Sequence, residues 1–264
     1  MSSIAIIGGG NLGSAIAQGL IRSQFCPASQ LTVTRRTTER LFPLKSEGVH
    51  ITPDNAEALR QRDVIILALK PYTVRDVLRD LAASFDPQRH VVISVVTGLL
   101  VSELTALLPA GIPIFRAMPN TAIALQESVT CICSQNASTQ QIEYVTELFD
   151  QLGTTVHIDE KLMDAATVLG ACGIAYALRF IRAATQGGIE IGFDAKTASL
   201  IAAQTVKGAA ELLLKGNRHP EEEIDKVTTP MGCTIAGLNE MEHQGFSSSL
   251  IRGVAASYQK IKTM

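Results

Sequence analysis

Ser3-Ile-Ala-Ile-Ile-Gly-Gly-Gly-Asn-Leu-Gly13, running on into Ser14-Ala-Ile-Ala-Gln-Gly-Leu20, decides the fold. An apolar strand ends in Gly8, Gly10 and Gly13, and an amphipathic helix follows without a gap. This order is the dinucleotide fingerprint G-x-G-x-x-G, in which the context of strand before and helix after carries more weight than the glycines. Gly8 allows the tight turn, Gly10 lets backbone approach a pyrophosphate, and Gly13 lets helix and strand pack closely. The helix start offers unpaired N–H groups and the positive end of a dipole to phosphate. About 20 residues on, the second strand Leu31-Thr-Val-Thr34 runs into Arg35-Arg36-Thr37-Thr38, where a free ribose 2′-hydroxyl would call for a carboxylate. Two guanidiniums suit a 2′-phosphate instead, so the expected cofactor is NADP(H), with NAD(H) possible.

Around this unit, residues 1–159 alternate strand and helix, as a parallel sheet with crossover helices requires. Expected strands are 4–7, 31–34, 49–51, 64–69, 91–95, 114–117, 129–133 and 155–158, several of them continuous apolar runs suited to cover on both faces. Between them Asp54 is expected to cap a helix over 55–60, helices follow at 73–83 and, opened by Ser102, at 103–108, and Gly153 is expected to close a helix over 139–152. Residues 160–264 show no strand, and six helices are expected at 162–168, 175–186, 195–215, 221–227, 233–244 and 247–260. The fold class is therefore α/β: a Rossmann-type doubly wound sheet followed by an all-helical domain whose excess of apolar surface calls for a partner subunit.

The chain has 264 residues, 46% hydrophobic and 18% charged, with formal net charge −2. That balance gives no footprint for nucleic acid or an anionic membrane. No apolar run is expected to reach membrane-spanning length, and Met1-Ser-Ser-Ile enters a strand at once, so a cytoplasmic location is expected. The five cysteines, Cys26, Cys131, Cys133, Cys172 and Cys233, match neither a disulfide framework nor a metal site and are expected to be buried free thiols. His50, His90, His157, His219 and His243 are scattered and read as structural or solvated.

Ligands of a doubly wound sheet sit at the carboxyl ends of its strands. Three loops fall there, Leu67-Ala-Leu-Lys-Pro71, Val95-Val-Thr-Gly98 and Arg116-Ala-Met-Pro-Asn-Thr121, with Lys70 and Asn120 as polar members. In the helical half, Asp225-Lys-Val-Thr-Thr-Pro-Met-Gly-Cys-Thr234 is a turn feeding a helix. It is either a plain Thr-capped helix or an anion cradle built on the N–H groups of Cys233 and Thr234.

Val227-Thr-Thr-Pro-x-Gly-x-Thr-Ile-Ala-Gly-Leu-Asn-Glu-Met-Glu-x-x-Gly-Phe246 closely resembles the signature of Δ1-pyrroline-5-carboxylate reductases, and the resemblance extends through Ile7–Leu12, Asp63–Pro71, Arg116–Thr121 and Ile201–Ala210. It implies NAD(P)H-dependent reduction of a cyclic imine to L-proline, the last step of proline biosynthesis, by a homodimer or larger homo-oligomer. It also implies that Ile7, Gly8, Gly9, Gly10, Asn11 and Leu12, with Gly13, hold pyrophosphate, that Arg35 and Arg36 take the adenosine phosphate, and that Asn55, Ala68, Lys70, Pro71 and Thr97 line the rest of the cofactor. Thr229, Gly232, Cys233 and Thr234 become the substrate carboxylate loop, with the Thr234 hydroxyl at the ring nitrogen, and Glu160 and Tyr176 come near the substrate. A protonated imine is already electrophilic, so a sparse site with a neutral hydroxyl suffices.

Two departures stand out. Met231 replaces a glycine of the usual Pro-Gly-Gly, and Gly170-Ala-Cys-Gly-Ile-Ala-Tyr176 puts Cys172 for Ser and Ile174 for Pro. Unless position 231 is left-handed, its side chain is expected to narrow the pocket. A reductase of a related cyclic imino acid, or a catalytically weak NADP-binding regulatory paralogue, are the alternative readings.

Overall fold

The computed structural model describes residues 3–263; the expectations placed on Met1 and Ser2 fall outside them. The chain divides into two compact units, one reaching Cys172 and taking in Ile261 onward, the other Gly173–Lys260.

The first unit is an eight-stranded sheet: β1 (Ile4–Ile7), β2 (Leu31–Thr34), β3 (His50–Thr52), β4 (Val64–Leu67), β5 (Val91–Ser94), β6 (Ile114–Met118), β7 (Ser128–Gln135) and β8 (Gly153–His157). All eight expected strands form, within a few residues at their ends. Their order is β3-β2-β1-β4-β5-β6-β7-β8. Every residue of β1, β2, β4 and β5 is buried, as strands covered on both faces must be. The helices are α1 (Asn11–Arg22), α2 (Phe42–Ser46), α3 (Asn55–Gln61), α4 (Pro71–Leu81), α5 (Val101–Leu107), α6 (Thr139–Asp150) and the short α7 (Met163–Ala166). The sheet departs from the expected all-parallel arrangement at one place: β7 runs antiparallel to β6, whereas β8 is again parallel to β7. Only residues 119–127 join β6 to β7, too few for a parallel crossover.

Local signals acted largely as expected. The Asp54 carboxylate caps α3 by accepting from the N–H groups of Ala56 and Glu57. Ser102, expected to open the next helix, lies inside α5; the helix starts two residues earlier, where the Glu103 side chain reaches back to the Leu100 N–H at 3.1 Å. Cys26 and Cys133 are buried and Cys131 and Cys172 half-buried, but Cys233 is exposed, because it sits in a helix start rather than a core. Burial pushes the Cys26, Cys131 and Cys133 thiols up, which keeps them protonated and inert.

The second unit consists of α8 (Gly173–Glu190), α9 (Ala195–Gly216), α10 (Pro220–Val227), α11 (Cys233–His243) and most of α12 (Phe246–Lys262). Its only buried residues are Thr185, Ala198 and Ala202. Leu178, Ile191, Leu200, Leu214 and Ile251 are each more than half exposed. A helical unit with so little core in a single chain has its apolar faces turned outward. The same excess corrects one expectation: the 31-residue stretch Glu160–Glu190 is long and apolar enough, by length and composition alone, to cross a membrane.

His90 closes the turn before β5. Its Nδ1 accepts from the Asp86 N–H at 2.9 Å and its Nε2 faces the Leu59 carbonyl at 3.1 Å, so the ring is neutral with its proton on Nε2. Burial lowers its pKa, opposed by the Leu59 carbonyl and reinforced by Arg89. A base whose folded pKa is depressed binds more protons unfolded, so stability falls as pH drops below its ordinary 6.5. Asp63 and Glu103, both held low, lose their contribution only as pH falls through 4.5 and below. The melting temperature is therefore expected to fall between about pH 7 and pH 5, and His90→Asn to flatten that fall, as measured by thermal denaturation across the range.

Candidate cofactor cleft and substrate loop

At the carboxyl ends of the strands lies a cleft of about 730 Å³. Four segments that the topology brings together form it: the start of α1 (Gly10, Asn11, Leu12, Ala15), the β4–α4 turn (Ala68, Leu69, Lys70, Pro71), the loop after β5 (Val95, Thr97) and the loop after β6 (Pro119, Asn120, Thr121, Ile123, Ala124), with Arg35 and Ala171.

At Gly8 and Gly13 the turn between β1 and α1 cannot carry side chains. Gly8 has φ +113, and a Cβ there would meet the Ala68 carbonyl; one on Gly13 would overlap the Gly8 carbonyl. Gly10 differs, because a Cβ there would meet nothing within 4 Å; it faces the cleft. The α1 start has no side-chain cap and no acidic residue in its first turn, which leaves its first N–H groups for an anion. These features fit the diphosphate of a dinucleotide.

The expected cofactor residues divide accordingly. Gly10, Asn11, Leu12, Arg35, Ala68, Lys70, Pro71, Thr97 and Asn120 line the cleft, whereas Ile7, Gly8, Gly9 and Gly13 build the turn behind it. Asn55, the first residue of α3, is outside the lining, as is Arg36, which is exposed. Arg35 differs from its neighbour because its guanidinium donates to the Gly9 carbonyl and is held at the glycine turn. Asn120 is 7% exposed and its amide is largely engaged: Oδ1 accepts from the Ala122 N–H and Nδ2 donates to the Gly170 carbonyl. It shapes the wall more than it offers polar groups. Val95 and Pro119 lie in the loops expected at this edge, whereas Ile123, Ala124 and Ala171 escaped the sequence reading, because apolar wall residues carry no chemical signature.

Glu160, expected near the substrate, lies outside the lining of this cleft. It lines a separate hollow of about 450 Å³, and its Oε1 is taken by Arg116 and by the Val101 N–H, each at 2.7 Å.

In the helical unit, the turn from Thr229 to Gly232 closes through a Gly232 N–H to Thr229 carbonyl bond of 2.9 Å. Gly232 is the N-cap of α11 and supplies no side-chain cap bond, so the plain Thr-capped helix does not form and the amides of Cys233 and Thr234 keep no side-chain acceptor there. Thr234 is half-buried beside them. The Tyr176 hydroxyl meets the Ser257 hydroxyl at 2.6 Å. Met231 is left-handed, with φ +58, and fully exposed. The loop thus keeps a glycine-like path, and the expected narrowing by the side chain does not arise in the single chain.

Residues 160–264 match the family model for pyrroline-5-carboxylate reductase dimerisation, and residues 3–98 match the one described as NADP oxidoreductase, coenzyme F420-dependent. The chain is 43% identical to pyrroline-5-carboxylate reductase 2 of Dictyostelium discoideum, covering 98% of this chain and 91% of that protein. It is 44% identical to pyrroline-5-carboxylate reductase 1 of the same organism across its whole length, but spans half of that longer protein. The crystal structure of Plasmodium falciparum pyrroline carboxylate reductase with NADP bound superposes with a TM-score of 0.87 at 26% identity, covering 99% of this chain and 97% of that one.

A non-glycine residue in the left-handed region carries about 1 kcal/mol of strain. Met231→Gly is expected to raise the free energy of unfolding by about 0.5–1 kcal/mol, measured by urea denaturation at fixed protein concentration.

Proposed function

The chain belongs to the pyrroline-5-carboxylate reductase family, and from that premise we propose that it reduces 1-pyrroline-5-carboxylate to L-proline with NADPH, as a homodimer or larger homo-oligomer. The observation that carries this reading is that the chain holds both an uncapped α1 N-terminus behind a glycine turn and a second uncapped helix start at Thr229–Thr234. One suits a dinucleotide diphosphate and the other a small carboxylate.

When bound, the reduced nicotinamide supplies the hydride. The chain's own groups bind and orient. The α1 amides take the diphosphate, Arg35 and Arg36 the 2′-phosphate, and Lys70, Pro71, Thr97 and Asn120 border the remainder of the cleft. The Cys233 and Thr234 amides take the substrate carboxylate, and the Thr234 hydroxyl donates toward the ring nitrogen, which orients the imine and assists proton delivery to it. Most of the acceleration comes from holding the two reactants in register, because the site offers no strong acid. The outward apolar faces of α8, α9 and α12 support assembly with a second copy.

Purified protein is expected to oxidise NADPH only when pyrroline-5-carboxylate is added. Turnover confined to a six-membered cyclic imino acid would overturn the substrate assignment, and no turnover with any cyclic imine would overturn the activity. Thr234→Ala is expected to lower kcat/KM about 10–100-fold; an unchanged value removes the hydroxyl from the reaction. Replacing Arg35 and Arg36 together by Ser is expected to erode the preference for NADPH over NADH, read as the ratio of the two kcat/KM values.

A further inference from the structure

Outside the lining of the cofactor cleft, two carboxylates tie together the segments that form its walls. Glu103 on α5 binds Arg75 of α4 at 2.7 Å and accepts from the Leu100 N–H. The Leu100 N–H, with Arg75 behind it, holds the Glu103 carboxyl below its usual range. Glu160 does the same on the other side. One of its oxygens, Oε1, receives both Arg116 Nη1 and the Val101 N–H. Arg116 lies on β6, its side chain is 3% exposed, and Glu160 is its charge partner.

The placement of these bonds is informative. Leu100 and Val101 end the loop that leaves β5, and that loop carries Val95 and Thr97 into the cleft. Its other end is held by Val95 N–H on the Leu67 carbonyl at 3.1 Å. Strand β6, which carries Arg116, runs directly into Pro119, Asn120 and Thr121 on the adjoining wall. The Glu160 carboxylate therefore bridges the two segments that supply this end of the cleft. A charge partner alone would need only the guanidinium; the shared oxygen also fixes where the loop ends relative to the strand.

We propose that Glu160 is a positioning residue for the cofactor cleft: by binding Arg116 and the Val101 N–H through one oxygen, it sets the distance between the 95–100 loop and strand β6, and with it the fit of the nicotinamide half of the dinucleotide. The proposal rests on the reading that this cleft holds a nicotinamide dinucleotide.

The test is direct binding of NADPH to the full chain, with no imine present, followed by steady-state kinetics. Glu160→Gln keeps an acceptor for Val101 but removes the charge from Arg116. It is expected to raise the Kd of NADPH about tenfold, with KM for NADPH rising in parallel and KM for the imine changing less than twofold. Because this variant strands a buried guanidinium, the pair Glu160→Gln with Arg116→Met is measured beside it. That pair removes the stranded charge while leaving the loop without its link to strand β6, so its weak NADPH binding is expected to persist even where its melting temperature recovers. Kd values within twofold of the parent in both variants, at temperatures where each is folded, overturn the proposal and leave the pair a merely structural one. Failure of the unaltered protein to bind NADPH would overturn the reading of the cleft itself, and this proposal with it.

Discussion

The approach of α1 to the turn after β1 constrains everything that binds at the edge of the sheet. Position 13 lies against the Gly8 carbonyl so closely that no Cβ fits between them. The helix start is thereby set over the end of β1, beside β4, where the strand order reverses direction. That reversal opens a crevice, and the parallel pairing of β1, β4, β5 and β6 delivers three further loops to the same edge. Wider spacing at position 13 would lift the α1 amides away from the cleft those loops enclose. The glycine turn is thus a spacing device first and a ligand contact second, and the residues that only build it, Ile7, Gly8, Gly9 and Gly13, matter without touching the cleft.

The two units solve the burial problem differently. The sheet unit covers its strands on both faces with helices of the same chain, and its core is continuous on each side. The helical unit cannot do so alone. Ala-rich α9 allows close packing against α8, with Gly188 and Ala198 in contact, but only small residues are buried there. The large side chains of α8, α9 and α12 stay outward, and water-exposed area of this kind is worth about 25 cal/mol per Å² when covered. Assembly is accordingly part of how this half of the chain becomes stable. It also explains why composition alone makes Glu160–Glu190 resemble a membrane span: an interface between copies demands the same residues.

Legibility in the sequence followed the range of each interaction. β1, β2, β4 and β5 are short, wholly buried apolar runs, and such runs announce themselves. Asp54 announces its helix because a cap acts across three residues. The antiparallel β7 does not, since its direction depends on what it pairs with; the one available signal was the short connection from Met118 to Ser128. Ser102 misled because a backward bond from Glu103 competes with a forward cap, and the structure uses the former. In the cleft, the glycines and Arg35 were readable as chemistry, whereas Ile123, Ala124 and Ala171 were not. Nothing local in the sequence reveals that Glu160 binds Arg116, 44 residues away.

Met231 shows how such constraints combine. Proline at 230 restricts φ to the value a tight turn wants at its second position, and the Thr229–Gly232 bond closes that turn. With φ +58 at residue 231 the turn is of the type II kind, which needs a left-handed third position. The Met231 side chain is wholly exposed, so no packing within the chain offsets its strain. What the strain preserves is direction: the turn sets Gly232 as the N-cap, with ψ 162, and the cap aims the Cys233 and Thr234 amides. Relaxing residue 231 by opening the turn would swing those amides away, so backbone geometry at the start of α11 prevails over side-chain preference at the tip of the turn.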